Sequence, residues 1–158
     1  SACFAAFDDS SRLDAIAAER AWQSILTQPS SQLAAIVKST KQWQFPYGAG
    51  AIALSVSVAT IGGRDQKSCT LTPLRVDIDK DALARALSSA AELTFAMYMK
   101  IPTAQTDAWD VKRQVGAPLQ ISLASSLEGR TTSLTFQEVL APPAPSQPMT
   151  TGAPPPGQ

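Results

Sequence analysis

Residues 51–59 read AIALSVSVA, with Ile52, Leu54, Val56 and Val58 alternating strictly with Ala53, Ser55, Ser57 and Ala59. A period of two sends every second side chain to the same side, so this run predicts a strand with one buried and one solvated face. β-branched residues at this density favour the pleated backbone over a helix. A strand also carries unpaired backbone groups on both edges, and the rest of the chain has to satisfy them. Gly62 and Gly63 predict a turn, after which Cys69 and Leu71 lie on one parity and Leu74, Val76 and Ile78 on the other. Pro73 stands at the change of phase, which predicts a bulged or edge strand.

Around this strand the periodicities differ. The opening stretch SACFAAFDDSSRLDAIAAERAW reads as helix, and Asp8, Asp9, Ser10 and Ser11 predict that one short helix ends there and another begins. Leu13, Ile16 and Ala17 have helical spacing. The stretch SSQLAAIVKSTKQW offers a second short amphipathic helix through Leu33, Ile36 and Val37, with Pro29 between the two regions. Asp79 is placed to cap a helix through KDALARALSSAA, which sets Leu83, Ala86, Leu87 and Ala90 on one face. In ELTFAMYMKIP, Leu93, Phe95, Met97, Met99 and Ile101 alternate with Thr94, Ala96, Tyr98 and Lys100, favouring a strand over an extension of that helix. A polar loop containing Trp109 follows, then a strand through Leu119, Ile121 and Leu123, a turn at Gly129, and a returning strand with Leu134 and Phe136. The expected fold class is α+β: a largely antiparallel sheet of about five strands with helices packed on one face.

Residues 1–140 are expected to form this single domain. Residues 141–158 differ in kind, since seven of the chain's 12 prolines lie there (Pro142, Pro143, Pro145, Pro148, Pro154, Pro155 and Pro156). Such a segment buries too little apolar surface to offset chain entropy and is expected to be a flexible, polyproline-like tail. The spacing of Pro142, Pro145 and Pro148 also matches a PxxP ligand, but a spacer is the plainer reading.

Composition excludes more than it suggests. Basic and acidic side chains both number 13, so the net charge is zero and nucleic acid is not an expected partner. The chain contains no histidine, which removes histidine-activated nucleophiles and histidine metal sites. No cofactor and no metal are expected. No apolar stretch approaches the ~18 residues that a membrane-spanning helix needs. A chain starting at Ser1, with no basic segment leading into an apolar one, fits either a mature product whose leader has been removed or a trimmed chain.

Three constellations remain as candidates. Cys3 falls on the first predicted helix and Cys69 on a central strand. A Cys3–Cys69 disulfide stapling helix to sheet is the first reading, two separate buried thiols the second, and a reactive Cys69 near Arg64 and Lys67 the third. Trp43, Phe45 and Tyr47 alternate in KQWQFPYGAG; they either plug the core or, with Trp109, form a stacking platform for a small ligand or glycan. Asp77, Asp79 and Asp81 alternate as in a calcium loop but lack its glycine and distal glutamate, so Asp79 reads better as a helix cap.

The spacing of Cys3, Leu13, Ile16, Ala17 and Trp22, followed by Trp43 and a strand carrying Cys69, is similar to a pattern in small exported proteobacterial domains of unknown function. In those proteins the cysteine helix ends near a Gly-Trp pair. Here Ala21 stands where the glycine would be, so the helix is expected to run on through Trp22. The resemblance implies a periplasmic or secreted location and a disulfide, and no activity. The first functional expectation is therefore a non-enzymatic exported protein that binds a protein or cell-envelope component. A small-ligand or glycan binder using Trp43, Phe45, Tyr47 and Trp109 comes second, and a hydrolase using carboxylates or a serine–lysine pair third.

Overall fold

A computed structural model of the chain describes residues 2–25, 36–89, 97–101, 106–113, 116–125 and 132–141. The elements in order are α1 (Ala2–Asp8), α2 (Ser10–Glu19), β1 (Gln23–Ile25), β2 (Val37–Tyr47), β3 (Gly50–Ile61), β4 (Arg64–Leu74), α3 (Lys80–Ser88), β5 (Met97–Ile101), β6 (Thr106–Val111), β7 (Leu119–Ser125) and β8 (Thr132–Glu138). All strands join one antiparallel sheet in the order β1-β2-β3-β4-β8-β7-β6-β5. Two meanders, β1–β4 and β5–β8, meet where β4 pairs with β8.

The expectation of an α+β domain with about five strands is overturned. The protein is mostly β, with three short helices against an eight-stranded sheet among the described residues. The largest difference is β2. The helix expected through Ile36 and Val37 gives way to a strand from Val37, while its first residues, 30–35, lie outside the described part. The 12-residue β3 needs a long partner for its backbone ladder, and the 11-residue β2 supplies it, Trp43 lying opposite Leu54 and Phe45 opposite Ile52. The expected polar loop at Trp109 is also strand, β6. Its Asp107 is buried, 2.9 Å from Nζ of Lys80 on α3, so a charged residue sits in the core because a cation meets it there.

Other local expectations are met. Asp9 caps α2, its carboxylate accepting from the Ser11 N–H at 2.9 Å and the Ser11 hydroxyl at 2.7 Å; those bonds hold its pKa below the usual carboxylate value. Asp79 caps α3 by accepting from the Ala82 N–H. Gly62 and Gly63 turn between β3 and β4 with positive φ. Residues 97–101 are strand, whereas 93–96, the Gly129 turn and residues 142–158 lie outside the described part. Pro73 causes no bulge. It pairs in register with Ile52, beyond the stretch Ser68–Leu71 over which β4 also pairs with β8, so its missing N–H lies where the ladder has already lost that neighbour. The strand ends at Leu74, and Arg75 takes a left-handed φ of 59° instead of continuing toward Val76.

The expected run of the first helix through Trp22 is corrected as well. Helix α2 stops at Glu19 and Ala21 adopts a φ of 52°. The Trp22 N–H donates to the Ala17 carbonyl at 2.9 Å and the Ala21 N–H to the Ala18 carbonyl at 3.2 Å, the paired bonds of a Schellman ending. Alanine thus occupies a conformation that glycine adopts without steric cost. Replacing Ala21→Gly is expected to raise stability by about 1 kcal/mol, seen as a higher urea midpoint with an unchanged slope.

Register places the core. Across β3, β4, β8, β7 and β6, Val56, Cys69, Phe136, Ile121 and Trp109 form one row; Trp43, Leu54, Leu71, Leu134 and Leu123 form the next. Both rows contribute to the buried cluster, joined by Cys3, Ala6, Phe7, Leu13 and Ala17 of α1 and α2 and by Leu83 and Leu87 of α3. The other parity carries Gln42, Ser55, Thr70, Thr135 and Ser122. That face is small, polar and nearly uncharged, with hydroxyl pairs Thr40–Ser57 and Thr70–Thr135 bridging strands.

Candidate functional site

Cys3 and Cys69 form a disulfide with Cα atoms 5.7 Å apart, and both are buried. The bridge lands at the seam of the two meanders, because Cys69 lies opposite Phe136 of β8. Phe4, the next residue on α1, packs edge-to-face on Phe136 with ring centroids 5.4 Å apart. Helix α1 is thereby fixed over β4 and β8. The α1–α2 junction at Asp9 then turns α2 so that Leu13 and Ala17 enter the core.

Between this helical pair and the β2–β4 part of the sheet lies a cleft of about 620 Å³. Its floor is Phe45, Leu54 and Leu71; its walls include Phe4, Ile16 and Trp22. The rings of Trp22 and Phe45 stack with centroids 4.7 Å apart. The Schellman ending of α2 puts Trp22 there, since the left-handed turn at Ala21 redirects the chain from helix to sheet. Arg12 and Arg20 complete the lining. With Ile16 they stand at positions i, i+4 and i+8 along α2 and its C-cap, Arg20, beside the face that buries Leu13 and Ala17. Both arginines are exposed, and no acidic side chain lines the cleft.

A smaller cavity of about 220 Å³ lies on the same sheet face beneath α3, lined by Tyr47, Ile52, Leu71, Pro73, Ile78, Leu83, Thr132 and Leu134. Leu71 lines both spaces. Phe45, Ile52 and Pro73 occupy one cross-strand row, so the apolar strip of sheet left between the α1–α2 pair and α3 is continuous across the register.

The residues of the expected platform are dispersed by this arrangement. Trp43 is buried in the core, Phe45 lines the larger cleft, and Tyr47, 51% exposed, stands at the smaller cavity. Trp109 is 1% exposed in the β5–β8 half, its indole N–H donating to the Ser88 hydroxyl at 3.3 Å, and it lines neither space. Alternation along β2 aims all three of its aromatics at one face, but helix coverage decides which of them is sealed in. Ile16 was marked only as a helix position and Trp22 only within the resemblance, and Arg12 and Arg20 not at all; the i, i+4, i+8 spacing of Arg12, Ile16 and Arg20 was the available signal.

Among the described residues no cluster of three metal-ligating side chains is found, and no helix is long and apolar enough to cross a membrane. No protein-family model, curated protein or solved structure matches this chain.

Proposed function

We propose that this chain is an exported, non-enzymatic binding domain that holds a small ligand with an apolar body in the cleft between the α1–α2 pair and β2–β4. The observation that carries this reading is the aromatic pair Trp22–Phe45, stacked and half-buried over an apolar floor in a space of about 620 Å³. Binding sites for small molecules have this make-up, apolar walls with few polar groups and a volume of roughly 300–1,000 Å³. Export is supported by the disulfide, which persists in oxidising compartments. The lack of histidine leaves the site without the usual general base, which supports binding over turnover.

Binding a protein or an envelope component has its own support in the uncharged Ser/Thr/Gln face. That face is broad and flat in register but has no apolar anchor at its centre, and anchors dominate the energetics of protein interfaces. The cleft offers the stronger attachment.

The test uses the neutral apolar dye N-phenyl-1-naphthylamine. Its emission is expected to rise saturably on the folded protein, with energy transfer from tryptophan. Phe45→Ala, which removes half of the aromatic pair, should weaken binding about tenfold, equivalent to ~1.4 kcal/mol of lost contact. Ala5→Trp, which fills the cleft from α1, should abolish it. Unchanged binding in both variants would overturn the assignment.

A further inference from the structure

We infer that the ligand of this cleft is a single-chain anionic amphiphile, taken up as a monomer, whose oxyanion head lies against Arg12 and Arg20 and whose alkyl chain runs past Trp22, Phe45 and Leu71 toward the cavity beneath α3. The inference rests on the proposed cleft and adds the chemistry of its occupant.

The argument for the head is charge. Arg12 and Arg20 are the charged residues of the cleft lining, both are cationic, and both are exposed where the cleft opens. Neither takes part in an ion pair among the described residues, whereas Lys38, Lys41 and Lys80 each have a carboxylate partner. The acids nearest to Arg12 in sequence are Asp14 and Asp9; the Asp9 carboxylate accepts two hydrogen bonds from Ser11, beside which the pull of the Arg12 charge is smaller. On the neighbouring turn Asp14 is taken by Lys41 at 2.6 Å. Helix α2 therefore presents two guanidinium groups over apolar walls, and guanidinium forks match carboxylate and phosphate oxygens. Fully desolvating arginines would be costly, so an amphiphile with a wet head and dry tail suits the site better than a wholly apolar ligand.

The argument for a single chain is the shape of the apolar strip. Beyond the stacked rings the floor narrows from about 620 Å³ to about 220 Å³, and Leu71 belongs to both spaces. The two spaces follow one another along a single strip of sheet, through Leu71 and the row Phe45, Ile52 and Pro73, an arrangement that suits one extended chain. Tyr47, with its hydroxyl and its half-exposed ring, stands at the far end of the strip.

Isothermal titration below the critical micelle concentration compares four ligands of equal chain length: tetradecanoate, tetradecyl phosphate, tetradecanol and tetradecylamine. The carboxylate and the phosphate are expected to bind at least about tenfold tighter than the alcohol, and the amine more weakly than the alcohol. In Arg12→Gln/Arg20→Gln this preference should vanish while alcohol binding stays as it was. Affinity should rise by about fourfold per methylene as the chain lengthens toward the second cavity. Ile52→Trp should remove the gain for long chains and leave octanoate unaffected. Equal binding of alcohol and anions, or a preference that survives the double variant, overturns the head-group assignment and leaves the cleft standing. If no chain binds, the alcohol included, the cleft reading itself falls and this inference with it.

Discussion

Reducing the Cys3–Cys69 bridge lowers the free energy of unfolding by roughly 4 kcal/mol, the chain-entropy value for a loop of this length. The two cysteines are 66 residues apart, and the closed loop contains α2 and β1–β3 entire and all of α1 but its first residue. In the oxidised unfolded chain this loop is already tied, so fewer conformations are lost on folding. The expected result is a lower urea midpoint for the reduced protein, and for Cys3→Ala/Cys69→Ala, with a steeper slope because the untied denatured chain exposes more surface. Two thiols should label only after reduction and unfolding. A shift below about 1 kcal/mol would mean that Phe4, Ala6, Phe7 and Leu13 hold the helices without help from the bridge. The consequence for function is direct: α1 and α2 form one side of the cleft, so dye binding and the near-ultraviolet signal of Trp22 should fall together with the bridge.

Trp109→Ala is the second large effect, a loss of about 3–5 kcal/mol. The side chain is 1% exposed, lies opposite Ile121 in the register, and donates to Ser88 at the end of α3. Truncation leaves a ring-sized void between α3 and the β6–β7 pair, too well surrounded to collapse. Because Trp109 lines neither the cleft nor the smaller cavity, the folded fraction of this variant should bind the apolar dye as the parent does. An unchanged thermal midpoint with weakened ligand binding would instead return Trp109 to the role of a binding platform. The experiment thus separates the residue's chemistry, which suits a ligand, from its position, which serves the core.

Local signals translated well where the physics is local. The caps at Asp9 and Asp79 depend on a carboxylate reaching an N–H two or three residues away, and both formed where the sequence placed them. Alternation in 51–59 needs only the pleat, and β3 is there. The misreadings share a different cause. Three apolar positions around Val37 fit a helix as well as a strand until β3 demands a partner. Asp107 marks β6 as polar until Lys80 arrives from α3. Ala21 argues for a longer helix, because its preference against a left-handed φ is worth only about 1 kcal/mol, less than the packing of Trp22 on Phe45 and the core beneath it can override.

The site divides the same way. Phe45 was legible as an aromatic on a strand, and Arg12, Ile16 and Arg20 were legible as a helical stripe, yet nothing in the chain said that they meet. By itself the sequence determined the cysteines available for a bridge, the neutral charge, the absence of histidine chemistry and the alternation that makes β3 two-faced, because these follow from residue identity and near-neighbour spacing. Tertiary structure alone decided that β4 pairs with β8, that the bridge falls on that seam, and that α2 stands off the sheet far enough to leave a cleft. Those outcomes depend on which distant backbone edges pair and how much of one face short helices can cover, quantities that no local preference carries.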